Sequence, residues 1–178
     1  MGNPIFTIGH STRPIDELLA LLRKSDIQVV VDVRTVPRSR TNPQYNRDAL
    51  SQSLDDAGIG YEHIAALGGL RGRSRDVPPA VNGFWENASF HNFADYAMTE
   101  TFRDGLARLR EVARKHRCAV MCSEAVWWRC HRRIITDYLL HAGETVFHIL
   151  GAQRVEPAEM TPAAKPDPTN SLTYRAAA

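Results

Sequence analysis

The residues best suited to chemistry cluster in one short segment, Cys-Ser-Glu-Ala-Val-Trp-Trp-Arg-Cys-His-Arg-Arg, at positions 122–133. A thiol at a helix N-terminus beside His and Arg has its thiolate stabilised, which makes Cys130 a candidate nucleophile or metal ligand. A nearby carboxylate can act as a general acid or base, or complete a metal site. The candidate catalytic residues are therefore Cys122, Glu124, Cys130 and His131.

Two of these residues also fit a structural role. Cys122 ends an apolar run, and a free cysteine is often a small packed hydrophobe. His131 lies three and four residues before Ile134 and Ile135, so it shares their inward helix face and is compatible with a hydrogen-bonded core histidine. The accumulation of Glu, Cys, His and three Arg in one segment nevertheless favours a functional site.

The elements that must position this segment follow from the hydrophobic pattern. Apolar β-branched runs alternate with segments of helical period, a pattern typical of α/β units built on a parallel sheet. The sequence predicts a three-layer Rossmann-like α/β fold with a mostly parallel five-stranded sheet. The expected strands are 5–8, 27–33, 60–64, 118–122 and 145–150, and the expected helices are 14–25, 46–57, 90–116 with a potential break near Thr99, and 130–141.

Distinctive residues follow the other strands as well. The carboxyl ends of parallel strands share one edge of the sheet, where open α/β folds bind their ligands. Glycines there allow a close backbone approach, and Arg side chains suit phosphate or carboxylate. We expect an anion-binding crevice at this edge, although a structural ion pair explains Asp32 and Arg34 equally well. The candidate substrate-binding residues are His10, Ser11, Asp32, Arg34, Arg38, Arg71 and Arg132.

The order strand, Cys-bearing loop, Arg and helix resembles thiol phosphatases and rhodaneses in outline. The spacing from Cys122 to Arg129 is C-x6-R, one residue longer than the C-x5-R phosphatase loop. Val126, Trp127 and Trp128 also replace the small residues that such an oxyanion cradle needs. No C-x2-C pair is present, so a structural zinc site is not indicated, and the sequence leaves metal and cofactor undetermined.

The net charge of +2 hides a division along the chain. Residues 34–75 hold seven Arg against four acidic residues, and residues 103–133 hold eight Arg and one Lys against three. Aromatic residues accompany these Arg residues in predicted loops, as they do where proteins stack single-stranded nucleic acid. The same rings would equally cap a small core under the long loop 65–89. They are Tyr45, Phe84, Trp85, Trp127 and Trp128.

Length and composition bound the class of protein. A chain of 178 residues, with 43% apolar and 24% charged residues, fits one globular domain, which we place at residues 1–150. Residues 151–178 contain four of the ten prolines and are expected to form an extended or disordered tail. No apolar run reaches the length of a membrane span. Three cysteines are too few for a disulfide scaffold, which predicts a reducing, cytoplasmic setting.

Several ordered motifs together resemble the bacterial domain-of-unknown-function family numbered 488. The resemblance implies a cytoplasmic, single-domain α/β protein and supplies no established reaction. It extends over roughly Ile5 to Leu150 and is strongest at its Cys-His-Arg end. Its motifs are Thr7-Ile8-Gly9-His10-Ser11, Asp32-Val33-Arg34 with Pro37-Arg38-Ser39, Leu67-Gly68-Gly69, and Cys122-x-Glu124 with Cys130-His131-Arg132-Arg133.

These observations lead to three hypotheses. The first is an enzyme that acts on a phosphate-bearing substrate, either a nucleotide or a nucleic acid, at the carboxyl edge of the sheet. The second is a non-catalytic nucleic-acid-binding module. The third is a binding protein for a small anionic metabolite, and the oligomeric state is left open in all three.

Overall fold

A computed structural model of the chain describes residues 2–177. Its main sheet has six strands in the order β3-β2-β4-β1-β5-β6, of which the first five are parallel. Five helices and a separate two-stranded hairpin, β7-β8, complete these residues. The bounds are β1 Ile5–Gly9, α1 Ile15–Lys24, β2 Val29–Asp32, α2 Arg47–Asp56, β3 Gly60–His63, α3 Ala88–Tyr96, α4 Glu100–Lys115, β4 Cys118–Cys122, α5 Arg132–His141, β5 Val146–Gly151, β6 Arg154–Pro157, β7 Ala164–Pro166 and β8 Leu172–Tyr174.

The three-layer Rossmann-like fold expected from the sequence is confirmed. Successive strand residues point to opposite faces, so Val30 joins one core and Val31 joins the other. The apolar sides of α1 and α2 pack on the Val30 face, and those of α3, α4 and α5 pack on the Val31 face. The break expected near Thr99 separates α3 from α4, where the Thr99 hydroxyl accepts the backbone N–H of Phe102 and caps α4.

The strand count differs from the expected five because β6 adds an antiparallel edge strand to β5. A tight turn joins the two strands, and β6 is only four residues long. Its sequence, Arg-Val-Glu-Pro, has a single β-branched residue between two charged ones and ends in proline, so the sequence pattern missed it. The sheet is therefore six-stranded and mostly parallel.

The segment expected to be an extended or disordered tail holds β6, β7 and β8, and part of it enters the core. Leu172 and Tyr174 are buried on the α5 side of the sheet. The Tyr174 hydroxyl donates to Asp137 Oδ2 at 2.9 Å, and the backbone N–H of Thr161 donates to Asp137 Oδ1. The buried carboxylate of Asp137 in α5 thus holds the C-terminal segment against the α/β domain. Local sequence periodicity cannot predict such a long-range contact.

The sheet order creates the crevice that holds the candidate site. The carboxyl ends of β2, β4 and β1 lie side by side, with Gly9 opposite Cys122 and Asp32 opposite Met121. The chain leaves β1 toward α1 on one face, whereas it leaves β4 toward α5 on the other. Divergent connections from neighbouring strands open a cleft at that point. Within residues 2–177, no helix is long and apolar enough to cross a membrane.

Candidate active site

Two cysteines meet at the carboxyl end of β4. Cys122 is the last residue of that strand, and Cys130 lies two residues before α5. A short 3₁₀ turn brings the chain back, so that the Sγ atoms are 2.7 Å apart and both side chains are buried. Both cysteines are free thiols. The third cysteine, Cys118, begins the same strand and is also buried.

The orientation of His131 is set by a strand distant in sequence. Its Nε2 lies 2.9 Å from the carbonyl oxygen of Val33, which can only accept, so Nε2 carries a hydrogen. Nδ1 then faces Cys130 Sγ at 3.5 Å, where one proton can pass between imidazole and thiol. A Cβ on Gly69 would come within 2.6 Å of that Nδ1. Gly69 is therefore needed so that the imidazole can occupy this position.

The two thiols differ in acidity. Burial and the hydrogen bond to Cys130 raise the pKa of Cys122 well above its usual range. Burial also disfavours the thiolate of Cys130, but the hydrogen bond from Cys122 and the charges of His131 and Arg132 outweigh it and hold the pKa of Cys130 well below its usual range. The backbone N–H of Arg132, at the start of α5, also donates to Cys130 Sγ at 3.4 Å. The pair is thus set up as a Cys122 thiol that donates to a Cys130 thiolate.

Arg132 positions the site and does not line its cavities. Its guanidinium is buried, with Nη1 donating to Thr7 Oγ1 and Nη2 donating to the carbonyl oxygen of Glu124 at 2.7 Å. A Cβ on Gly9 would come within 1.7 Å of the same carbonyl oxygen. Gly9 therefore leaves room for the backbone at Glu124. Neither Gly9 nor Arg132 lines the cavities described below, although the sequence predicts Arg132 as a substrate-binding residue.

We expect the Arg132→Met variant to lose most of the reactivity of Cys130 at neutral pH. The change removes a buried positive charge beside the sulfur, so the pKa of Cys130 rises, and each unit of rise lowers the thiolate fraction about tenfold. Alkylation of Cys130 by iodoacetamide across a pH series, followed by peptide mass spectrometry, measures this change. Arg132→Lys keeps the charge and is the matched control. Equal rates in wild type and Arg132→Met would contradict the role assigned to Arg132.

A buried ion pair orients the second arginine of the site. Arg34 Nε and Nη2 donate to the carboxylate of Asp32 at 2.9 and 2.7 Å. The hydroxyl of Tyr61 also donates to this carboxylate at 2.7 Å, and Asp32 is fully buried. Among residues 2–177, the Nη1 of Arg34 has no hydrogen-bond partner. Asp32 therefore positions Arg34, while one arm of the guanidinium is left for another group.

Two adjoining cavities lie at this edge of the sheet. The first, here called the thiol cavity, has a volume of about 250 Å³ and is lined among others by Cys122, Cys130, His131 and Arg129. The second, the polar cavity, has a volume of about 580 Å³ and is lined among others by His10, Ser11, Arg38 and Asn42. Five residues line both, namely Arg34, Thr35, Leu70, Ser123 and Glu124. The two cavities therefore meet at Arg34.

His10 lines the polar cavity and has a buried ring nitrogen without a partner among the described residues. Its Nδ1 lies 2.8 Å from the carbonyl oxygen of Ser11, so the ring hydrogen is on Nδ1. The ring stacks on Tyr45 at 4.0 Å. Burial lowers the pKa of His10 to about 4, and the charge of Arg34 contributes to this. Neutral His10 therefore offers its buried Nε2, which has no partner among the described residues, as an acceptor.

The remaining expected site residues separate into two groups. Glu124 is exposed where the cavities meet, while Ser11 and exposed Arg38 line the polar cavity. Arg71 lies elsewhere, because its guanidinium donates to the carbonyl oxygens of Gly68 and Ala65 and covers the Tyr96 ring at 3.8 Å. Arg71 lines neither cavity, and its contacts are those of a structural residue.

The predicted site residues leave out several polar residues that line the cavities, among them Thr35, Ser123 and Arg129. Thr35 and Ser123 line both, and exposed Arg129 lines the thiol cavity. The C-x6-R spacing includes Arg129, but that spacing served only to argue against a C-x5-R phosphatase loop. Thr35 and Ser123 carry no motif signal beyond their position directly after Arg34 and Cys122. In residues 2–177, no group of three or more His, Cys, Asp or Glu side chains is arranged to hold a metal ion.

Most Arg residues of the segment 103–133 and most of the loop aromatic rings have partners within the protein, whereas five of the seven Arg in the segment 34–75 are exposed. Six of the eight Arg in the segment 103–133 donate hydrogen bonds within the protein, namely Arg103, Arg108, Arg110, Arg117, Arg132 and Arg133. Of the five loop aromatics, Tyr45 and Trp85 are buried, and Trp127 stacks on His148 at 4.6 Å. Only Phe84 and Trp128 of these five are exposed. Most of these rings therefore pack into small hydrophobic clusters and do not form a surface on which bases can stack.

Fold and site together define a three-layer α/β protein with a buried cysteine pair, a histidine and an arginine at the carboxyl edge of its parallel strands. The family described as Domain of unknown function DUF488 matches residues 14–139, and the chain belongs to this family. The resemblance expected from the motifs is thereby confirmed, and the match includes Arg34, both cysteines of the pair and His131. No curated protein and no solved structure was found to match the chain.

Proposed function

We propose that the protein is an enzyme that binds a small phosphate-bearing molecule across the two cavities and attacks it with the Cys130 thiolate. The observation that carries this proposal is the environment of Arg34. Asp32 holds one side of the guanidinium, the buried Nη1 has no partner among residues 2–177, and Arg34 lines both cavities. A preorganised guanidinium of this kind binds phosphate oxygens well.

The thiol cavity supplies the groups for a nucleophilic displacement. Transfer of the Cys130 proton to His131 Nδ1 gives a thiolate beside an imidazolium. The sulfur bonds to phosphorus while the P–O bond to the leaving group breaks, and His131 returns the proton to the departing oxygen. Glu124, exposed at the meeting of the cavities, then activates the water that displaces the sulfur from phosphorus. Cys122 donates to Cys130 throughout and stabilises its thiolate.

The polar cavity supports a substrate that carries hydroxyl groups besides its phosphate. The buried Nε2 of neutral His10 needs a donor, which a sugar hydroxyl provides. Ser11, Ser39 and Asn42 line the same cavity with further hydrogen-bonding groups. A phosphorylated sugar or a nucleoside monophosphate combines both requirements.

The two non-catalytic hypotheses, a nucleic-acid-binding module and a metabolite-binding protein, receive less support. A nucleic-acid-binding module needs exposed arginines and exposed rings together. Only Phe84 and Trp128 of the five loop aromatics are exposed, and six of the eight Arg in the segment 103–133 donate hydrogen bonds within the protein. A non-catalytic protein for an anionic metabolite would use the same Arg34 without needing Cys130. We propose a reducing, cytoplasmic setting, in which the cysteine pair stays available as thiols.

Phosphate and nucleoside monophosphates are expected to protect Cys130 from iodoacetamide. Arg34→Lys keeps the charge but loses the fixed fork, so we expect its protection constant to weaken about tenfold, the effect of one charge-assisted hydrogen bond. Arg71→Ala is the matched control, because Arg71 lines neither cavity. Equal protection in wild type and Arg34→Lys would contradict the proposed anion site.

Turnover separates catalysis from binding. Against a panel of sugar and nucleoside monophosphates, the wild type is expected to release phosphate and Cys130→Ser is not. Protection by phosphate together with no release from any member of the panel would favour the non-catalytic metabolite-binding protein.

A further inference from the structure

We infer that Cys122 and Cys130 form a redox-active pair that exchanges with low-molecular-weight disulfides and closes into an internal disulfide. This activity goes beyond the proposed function, because it needs no phosphate-bearing substrate and forms no bond to phosphorus. It assigns Cys130 as the attacking cysteine and Cys122 as the resolving one. The pair is brought together from two elements, the end of β4 and the approach to α5.

The geometry of the two sulfurs carries this inference. Their Sγ atoms are 2.7 Å apart, whereas a disulfide bond measures about 2.05 Å, so a displacement of roughly 0.7 Å closes the bond. Cys122 is anchored in the central sheet, while Cys130 follows a single 3₁₀ turn with exposed residues, Trp128 and Arg129. The required movement therefore falls on the loop and not on the core of the sheet.

A small disulfide can reach the pair because both cysteines line the thiol cavity. Exposed Arg129 and buried Arg34 line the same cavity and give it a positive wall. Small cellular disulfides that carry carboxylates, such as glutathione disulfide, match this charge. Cys118 has no such access, since it begins β4 and lies about 13 Å from Cys122 at roughly 3.3 Å per strand residue.

The two cysteines are chemically unequal in the way that a two-step exchange requires. Cys130 lies at the N-terminal end of α5, receives the backbone N–H of Arg132 and faces His131 Nδ1. These contacts stabilise a thiolate, the species that attacks a disulfide. Cys122 keeps its proton and donates it toward Cys130. The Cys122 thiol is thus already in contact with Cys130 Sγ, the sulfur that it attacks in the second step.

The exchange balances with the small disulfide as the oxidant. The Cys130 thiolate forms a bond to one of its sulfurs, the S–S bond breaks, and the other sulfur leaves with the electron pair as a thiolate. The Cys122 sulfur then attacks Cys130 Sγ, and the second small thiol departs with the proton that Cys122 gives up. The protein pair loses two electrons, and the small disulfide gains them as one thiolate and one thiol.

The test uses the full chain, glutathione disulfide as the probe and intact-mass analysis after acid quenching. We expect the wild type to end two hydrogen masses lighter, with no glutathione attached. Cys122→Ser should accumulate one glutathione on Cys130, because nothing resolves the mixed disulfide. Cys130→Ser should react at least tenfold more slowly, since the remaining thiols have raised pKa values. Cys118→Ser is the matched control and should behave as wild type.

Several results would overturn the inference. They are a wild type that retains glutathione as its end product, a Cys122→Ser variant that carries none, and a Cys118→Ser variant that cannot form the internal disulfide. Alanine variants at the same three positions, checked by circular dichroism, replace any serine variant that does not fold. The redox activity and the proposed anion site can fail separately. Exchange in a protein whose Cys130 is not protected by phosphate supports the inference alone, whereas protection by phosphate without exchange overturns it.

Discussion

The Arg34→Met variant is expected to lose about 3–5 kcal/mol of unfolding free energy, because it leaves the buried carboxylate of Asp32 without a countercharge. Asp32 is fully buried and accepts from Arg34 Nε, from Arg34 Nη2 and from the Tyr61 hydroxyl. Only the arginine supplies a countercharge in this set. Burial and the hydrogen bond to Asp32 hold the pKa of Tyr61 well above its usual range, so Tyr61 stays neutral and cannot replace that charge.

Urea denaturation of a double variant shows whether the lost charge is the cause. In Asp32→Asn/Arg34→Met, the carboxylate is replaced by a neutral amide of similar size, and Tyr61 can still donate to its oxygen. We expect this double variant to recover most of the stability that Arg34→Met loses. A double variant as unstable as the single one would show that Arg34 contributes through packing and not through its charge.

Acidification is expected to destabilise the fold through two buried histidines. Burial lowers the pKa of His148 to about 3, with Arg132 contributing, and burial lowers the pKa of His10 to about 4. Both values lie below the unfolded value of about 6.5, so the unfolded chain binds more protons than the folded one as the pH falls below 6.5. Stability is therefore full above that value and is lost progressively as the pH falls toward the folded pKa values.

The expected loss between pH 7 and pH 5 is roughly 2 kcal/mol for each of these histidines, or about 4 kcal/mol together. This interval lies above the range in which most carboxylates titrate, so the histidines dominate it. Urea unfolding at pH 7, 6 and 5 measures the slope. His148→Gln and His10→Gln should each remove about half of it, and the double variant most of it. An unfolding free energy that is constant over this interval would contradict the prediction.

The edge of the sheet that holds the candidate site can be predicted from the sequence, because parallel strands all end at the same edge. Once five strands were recognised, His10, Arg34 and Cys122 had to lie near one edge of the sheet. The sequence also separated Cys118, at the start of a buried strand, from the other two cysteines. It also indicated Cys130 as the thiol with a stabilised thiolate. The contacts that stabilise this thiolate, from His131 Nδ1 and the backbone N–H of Arg132, are visible only in the tertiary structure.

The charge pattern along the chain was a poorer guide than the strand ends. Arg108 pairs with Glu62 and Arg110 pairs with Glu144, so two of the nine basic residues in the segment 103–133 are neutralised by acidic residues from elsewhere in the chain. Arg71 likewise donates to the backbone carbonyl oxygens of Gly68 and Ala65, acceptors that the fold places beside it. A linear sum of charges counts a residue's neighbours in sequence, whereas an arginine binds whichever acceptor the fold brings to it.

The sequence by itself determined the fold class, the five parallel strands with the helices between them, the family and the edge of the sheet where the polar residues gather, because periodicity and strand polarity are local properties. Only the tertiary structure decided that His131 turns Nδ1 to Cys130, through a carbonyl oxygen of Val33 on another strand. It also decided that Arg34, and neither Arg71 nor Arg132, lines the cavities. These outcomes depend on contacts between residues far apart in sequence, and acidity and hydrogen bonding are set by those contacts.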